Sequence, residues 1–143
     1  MDIPQLLRAL DDESNEQLLN FTTKKIREMN REILKSLHLE KEVLHDFLTK
    51  LKDYRYIDEM NDLKYGTYIR WIPIDIEEEG QFYLTRGAVF CEMKITDEGV
   101  FCVCKNYGYH PTYFQISMDK NILFQKLTTQ EKILLSALDH LSK

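Results

Sequence analysis

Leu63-Lys64-Tyr65-Gly66-Thr67-Tyr68-Ile69-Arg70-Trp71-Ile72 is the stretch on which the fold turns. Before it, apolar residues recur every three or four positions among charges. From Tyr65 onward the period becomes two, and β-branched and aromatic residues dominate, a composition that suits a pleated, half-buried surface. The sequence therefore predicts an α+β chain in two parts. Residues 1–62 form a helical docking or oligomerisation region, and 63–143 a small antiparallel β-barrel with a C-terminal capping helix.

Upstream, Ser14-Asn15-Glu16-Gln17 has the form of a capping box, which predicts a helix start near Asn15. Leu19, Thr22, Ile26, Met29, Ile33 and Leu37 make a narrow stripe, and Leu39, Val43, Leu44, Phe47, Leu48 and Leu51 a broader one, both among charged neighbours. No Gly or Pro separates them. Either one rod runs to about Asp53 and buries its seam against another copy as a coiled coil, or a bend near Ser36 to Leu39 makes an antiparallel helical hairpin. The bend is preferred because it buries both stripes within one chain. Pro4 to Leu10 is expected to form a short preceding helix ending at Asp11-Asp12-Glu13. Lys24, Lys25, Arg27 and Arg31 read as a solvated helix face, with phosphate contact as the other reading.

Downstream, strands are expected at Tyr68 to Ile74, Gln81 to Leu84, Ala88 to Ile95, around Phe101 to Cys104, Tyr113 to Met118 and Ile122 to Leu127. Pro73 places its end of the first strand at an edge or rim, since it donates no ladder hydrogen bond. Asp75 to Gly80 reads as an exposed acidic turn without the spacing of a calcium loop. Thr96-Asp97-Glu98-Gly99 fits a type I turn with Gly in the left-handed position. That register sets Phe101 and Val103 beside Ile95 and Met93 in the core, with Cys102 and Cys104 on the other face. A slip of one residue would exchange the faces and put Cys104 opposite Cys91. Thr128-Thr129-Gln130-Glu131 is a second capping box, and Ile133, Leu134, Ala137, Leu138 and Leu141 supply the apolar face of a terminal helix. The short strands suggest an SH3-like, Sm-like or OB-like barrel.

Composition narrows the function. The 143 residues carry a net charge of −5, with both signs mixed through both halves, which disfavours a nucleic-acid binder. No apolar run reaches the roughly 20 residues of a membrane span, and the acidic start lacks the form of a secretory signal, so an intracellular setting is expected. Three cysteines in one segment do not read as a disulfide framework. Cys91, Cys102, Cys104 and His110 are the one constellation resembling a metal site. A C-x-C on an extended strand lacks the turn that folds both thiolates onto zinc, so the cysteines read as structural. His38, His45, His110 and His140 are scattered outside any catalytic motif, the glycines form no phosphate-cradling loop, and no cofactor is implied. Tyr65, Tyr68, Trp71, Tyr83, Tyr107, Tyr109 and Tyr113 either pack around a thin core or present rings to a ligand.

Leu63-Lys64-Tyr65-Gly66-Thr67-Tyr68-Ile69-Arg70-Trp71, Leu84-Thr85-Arg86-Gly87-Ala88 and Asn121-Ile122-Leu123-Phe124-Gln125-Lys126-Leu127 together resemble phrases in small uncharacterised proteins of nucleocytoplasmic large DNA viruses. The resemblance covers about the second half of the chain. It implies a viral protein in the host cytoplasm or nucleus and brings no catalytic residue with it. The sequence thus points to a non-enzymatic assembly or adaptor protein that docks or self-associates through its helices and presents the barrel to a protein partner. The alternative is a nucleic-acid-binding module using Tyr68, Arg70, Trp71 and Lys105 on one strand face.

Overall fold

In the computed structural model, residues 2–75 and 81–141 are described, with the backbone alone at Ser14, Glu16, Gln17 and Asn20. These residues form four α-helices and six strands. α1 (Ile3–Asp11) is capped by the Asp2 carboxylate, which accepts from the Gln5 amide at 3.2 Å. A 3-10 segment, Glu13–Asn20, stands where the sequence predicts the first turns of a longer helix. α2 (Thr23–Lys35) starts later, on Thr22, whose hydroxyl accepts from the Lys25 amide. The capping-box side chains of Ser14 and Gln17 lie outside the described residues. α2 gives way at Ser36, His38 takes a φ of 54°, and α3 (Lys41–Lys50) sets off anew. Histidine tolerates this left-handed conformation better than most side chains, so the bend forms without Gly or Pro.

Six antiparallel strands follow in the spatial order β1-β6-β2-β3-β4-β5. They are β1 (Tyr54–Ile57), β2 (Tyr68–Pro73), β3 (Ala88–Thr96), β4 (Gly99–Asn106), β5 (Thr112–Ser117) and β6 (Asn121–Lys126). The sequence reading misses β1, because four residues are too few to show alternation and they trail a helical pattern. Conversely, Gln81 to Leu84 joins no ladder; the next residue, Thr85, clips this segment to β2 by donating its amide to the Trp71 carbonyl and accepting the Trp71 amide on its hydroxyl. The acidic turn beyond Asp75 lies outside the described residues.

The second stripe packs on the sheet, where Phe47 and Leu51 meet Tyr54, Ile72, Ile122 and Phe124; of the first, Ile33 and Leu37 join them beside the buried Leu34, Ile26 packs on Leu18 and Leu135, and Leu19 is exposed. β1, before Leu63, pairs along β6, and α1 packs on the C-terminal helix α4 (Thr129–Leu141), so the two halves interlock across the junction. The opposite sheet face gathers Ile57, Leu63, Ile69, Trp71, Phe90, Cys102, Cys104 and Leu123. Across that core the Trp71 and Phe114 rings lie 5.9 Å apart, although three strand intervals of a flat sheet would separate β2 from β5 by about 14 Å. The sheet is therefore strongly curled. It remains open, however: β1 and β5 are its two ends, and no pairing among the described residues closes it into the expected barrel. One reason is at β1, whose outer edge is taken by a side chain of α2 instead of by another strand.

The β3–β4 hairpin adopts the register one residue away from the expected one. Thr96 pairs with Gly99, whose φ of 133° suits glycine alone, so the loop is Asp97 and Glu98. Met93 then faces Cys102, which turns Cys102 and Cys104 into the core and Phe101 and Val103 to the other side. Cys104 still does not meet Cys91. A bulge between Phe90 and Glu92 shifts the ladder, so that Phe90 stands opposite Cys104. The bulge inverts the alternation within β3: Ala88 and Phe90 point inward before it and Met93 after it.

Candidate functional site

Residues of the three stretches 63–71, 84–88 and 121–127 meet in space and bond to one another. Gln125 Oε1 accepts from the Lys64 amide at 2.7 Å and from the Thr67 hydroxyl at 2.9 Å, while its Nε2 donates to the Asp62 carbonyl at 3.1 Å. Gly66 and Thr67 exchange backbone hydrogen bonds with Phe90. Gly87, at a φ of 90°, lies so close to β2 that a Cβ there would overlap the Ile69 carbonyl oxygen. The Lys64 ammonium reaches Asn15 Oδ1 at 2.6 Å and the fully buried Glu131 at 3.3 Å. Its contact with Glu131 Oε2 satisfies the distance of an ion pair without the direction of a hydrogen bond, so the attraction there is one of charge. Glu131 also completes the second capping box: its Oε1 accepts from the Thr128 amide, and its own amide donates to the Thr128 hydroxyl. This network ties the junction, β6 and α4 together.

The thiols are similarly withdrawn. Burial pushes Cys102 up to about 11, and burial together with the neighbouring Cys102 and Cys91 pushes Cys104 up to about 12, so both are protonated, poorly nucleophilic thiols near neutral pH. Among the described residues no three His, Cys, Asp or Glu side chains converge as metal ligands.

Of the four residues singled out in the sequence, two share an accessible row. Tyr68 pairs with Val89, Val89 with Lys105, and Lys105 with Tyr113, so these side chains cross β2 to β5 on the face opposite the inner core. The Lys105 ammonium sits 4.8 Å from the Tyr107 ring and 5.3 Å from the Tyr113 ring, and both rings are two-thirds exposed. Tyr68 closes the far end of the row by donating its hydroxyl to the Arg86 carbonyl at 2.7 Å. Trp71 points the other way, into the core, with only 8% of its surface exposed. Arg70 shares the side of Tyr68, but its Nε donates to the Thr85 carbonyl at 2.8 Å. The odd-and-even split of β2 separates Trp71 from Tyr68 and Arg70.

Next to this row runs the one uncharged edge that the sequence reading does not mark. The Met118 amide donates to the Val100 carbonyl, so the alternation of an antiparallel ladder turns Ile116, Phe114 and Thr112 toward β4 and leaves the backbone groups of Tyr113, Gln115 and Ser117 facing outward. The Ser117 carbonyl is taken by the Asn121 side chain at 2.7 Å. β5 contains no charge and no proline, the devices that ordinarily blunt an edge. The other edge is treated differently: Asn30, 3% exposed, donates to the Tyr54 carbonyl at 2.9 Å and accepts from the Tyr56 amide at 2.8 Å.

No protein-family model, curated protein or solved structure matches this chain. Among the described residues, no helix is long and apolar enough to cross a membrane.

Proposed function

We propose that the chain is a non-enzymatic adaptor that docks an extended strand of a protein partner, in the simplest case a second copy of itself, along β5. The outward backbone of Tyr113 and Gln115 carries this reading, because an uncharged edge next to an exposed ring-lined face supplies both main-chain hydrogen bonds and side-chain contacts to an added strand. The curl of the sheet supports the small-barrel reading as far as curvature goes, and the open edge is what a barrel lacking its last strand would offer. Self-association through a helical seam has less support, since Ile26, Leu34 and Phe47 are buried within the chain. Nucleic-acid binding on Tyr68, Arg70, Trp71 and Lys105 also has less support, since Trp71 is buried and Arg70 engaged. The viral, host-intracellular setting implied by the resemblance belongs to the same proposal.

Gln115→Pro tests the docking. The Gln115 amide points outward, so its loss costs no bond to β4, yet it blocks an incoming strand. Sedimentation over a range of concentrations, with selection of extended peptides from a displayed library, is expected to show association or peptide binding that the variant loses. A wild-type chain that stays monomeric and selects no peptide sensitive to Gln115→Pro refutes the reading.

A further inference from the structure

Two adjoining clefts lie where α2 meets α4, remote in sequence from the β5 edge. One, of about 560 Å³, is lined by Arg27, Lys52, Lys132 and His140 with Asp53 and Asp139. The other, of about 650 Å³, is lined by Lys24, Arg27 and Arg31 with Glu28 and Asp139, and the two share Thr23, Arg27 and Asp139. Both volumes are in the range of small-molecule sites. Five Lys and Arg side chains thus meet three carboxylates in a chain whose net charge is −5, so the cationic excess is local. Two of the carboxylates are already engaged: Asp139 accepts from the Thr23 amide at 2.8 Å and hydroxyl at 2.5 Å, and Asp53 pairs with Lys132 at 3.5 Å. Lys24, Arg27, Arg31 and Lys52 make no ion pair among the described residues. Lys24, Arg27 and Arg31 follow one another at three and four positions, a row of cations about 10 Å long on one side of α2.

We propose that these joined clefts bind a phosphate-bearing ligand, a run of two or three phosphates carried by a nucleotide or by a nucleic-acid strand, with the Arg27 fork at their meeting point. Like charges gathered without partners repel one another, and an anion relieves that repulsion while the exposed guanidinium and ammonium groups supply its hydrogen bonds. The site is independent of strand docking at β5.

Calorimetric titration of the full chain with sodium triphosphate tests it, at about 50 and about 200 mM salt. Saturable binding is expected, weaker at the higher salt, and reduced about tenfold or more by Arg27→Gln or by Arg31→Gln. Lys25→Gln, on α2 but outside both clefts, is expected to leave it unchanged. A nucleoside triphosphate and a single-stranded oligonucleotide then compete for the same site, and the one that displaces triphosphate at the lower concentration identifies the carrier. Absence of saturable binding at millimolar triphosphate, or equal losses from Arg27→Gln and Lys25→Gln, overturns the proposal.

Discussion

Replacing Asn30 is expected to be among the most destabilising single changes in the helical half. Its side chain is buried and serves two backbone groups at once, the Tyr54 carbonyl and the Tyr56 amide on the outer edge of β1. Asn30→Leu keeps the volume but leaves the buried Tyr54 carbonyl and the half-buried Tyr56 amide without partners, at about 1–3 kcal/mol each, or about 2–6 kcal/mol together. That is a large part of the roughly 5–15 kcal/mol that stabilises a domain. With a urea m-value of about 2 kcal/mol/M, the unfolding midpoint should fall by about 1–3 M. The Tyr56 amide should lose its protection against hydrogen exchange, because its acceptor is the Asn30 side chain and no strand among the described residues pairs on that side of β1. A midpoint within about 0.2 M of wild type, together with unchanged exchange at Tyr56, refutes the view that Asn30 stands in for a neighbouring strand.

The buried charge at the junction gives a second expectation. Lys64→Met strands Glu131 in the interior and should cost about 3–5 kcal/mol, whereas adding Glu131→Gln should restore most of that loss in urea melts. Single and double variants of equal stability would show that the pair is not coupled. The cysteines give a third. In the folded chain a thiol reagent near neutral pH should modify Cys91 and spare Cys102 and Cys104 until the protein unfolds. Because burial raises both pKa values above their ordinary 9.0, the folded state holds the thiol protons that the unfolded state releases. Their stabilising contribution is therefore complete below pH 9 and lost as pH rises toward about 12, and Cys104→Ala should flatten that decline in denaturation midpoints.

Much of the secondary structure was legible because it rests on local signals. Thr128 and Glu131 cap α4 as their spacing predicts, and the stretch from Pro4 to Leu10 falls within α1. β2, β3, β5 and β6 lie close to their expected bounds. The candidate site was half legible: Tyr68 and Lys105 share a row, as aromatic and basic residues flanking a common sheet face can. Trp71 could not be sorted from its neighbours until its face was known, since both faces of β2 are apolar enough to be buried. Tyr107 was visible as a loop aromatic, but its approach to Lys105 depends on the Asn106–Pro111 bend.

The sequence by itself determined most of the helical and strand segments and the change of period at Leu63, though not the start of α2, because caps, turn residues and periodicity act over a few neighbouring positions. Only the tertiary structure decided that Tyr54–Ile57 extends the sheet, that the second helical stripe lies on that sheet, and that Cys102 and Cys104 face inward. Each of these depends on pairing between distant segments. A single bulge at Cys91, a two-residue loop before Gly99 and one asparagine on α2 set the register and the edges, and no local pattern encodes which distant groups they will meet.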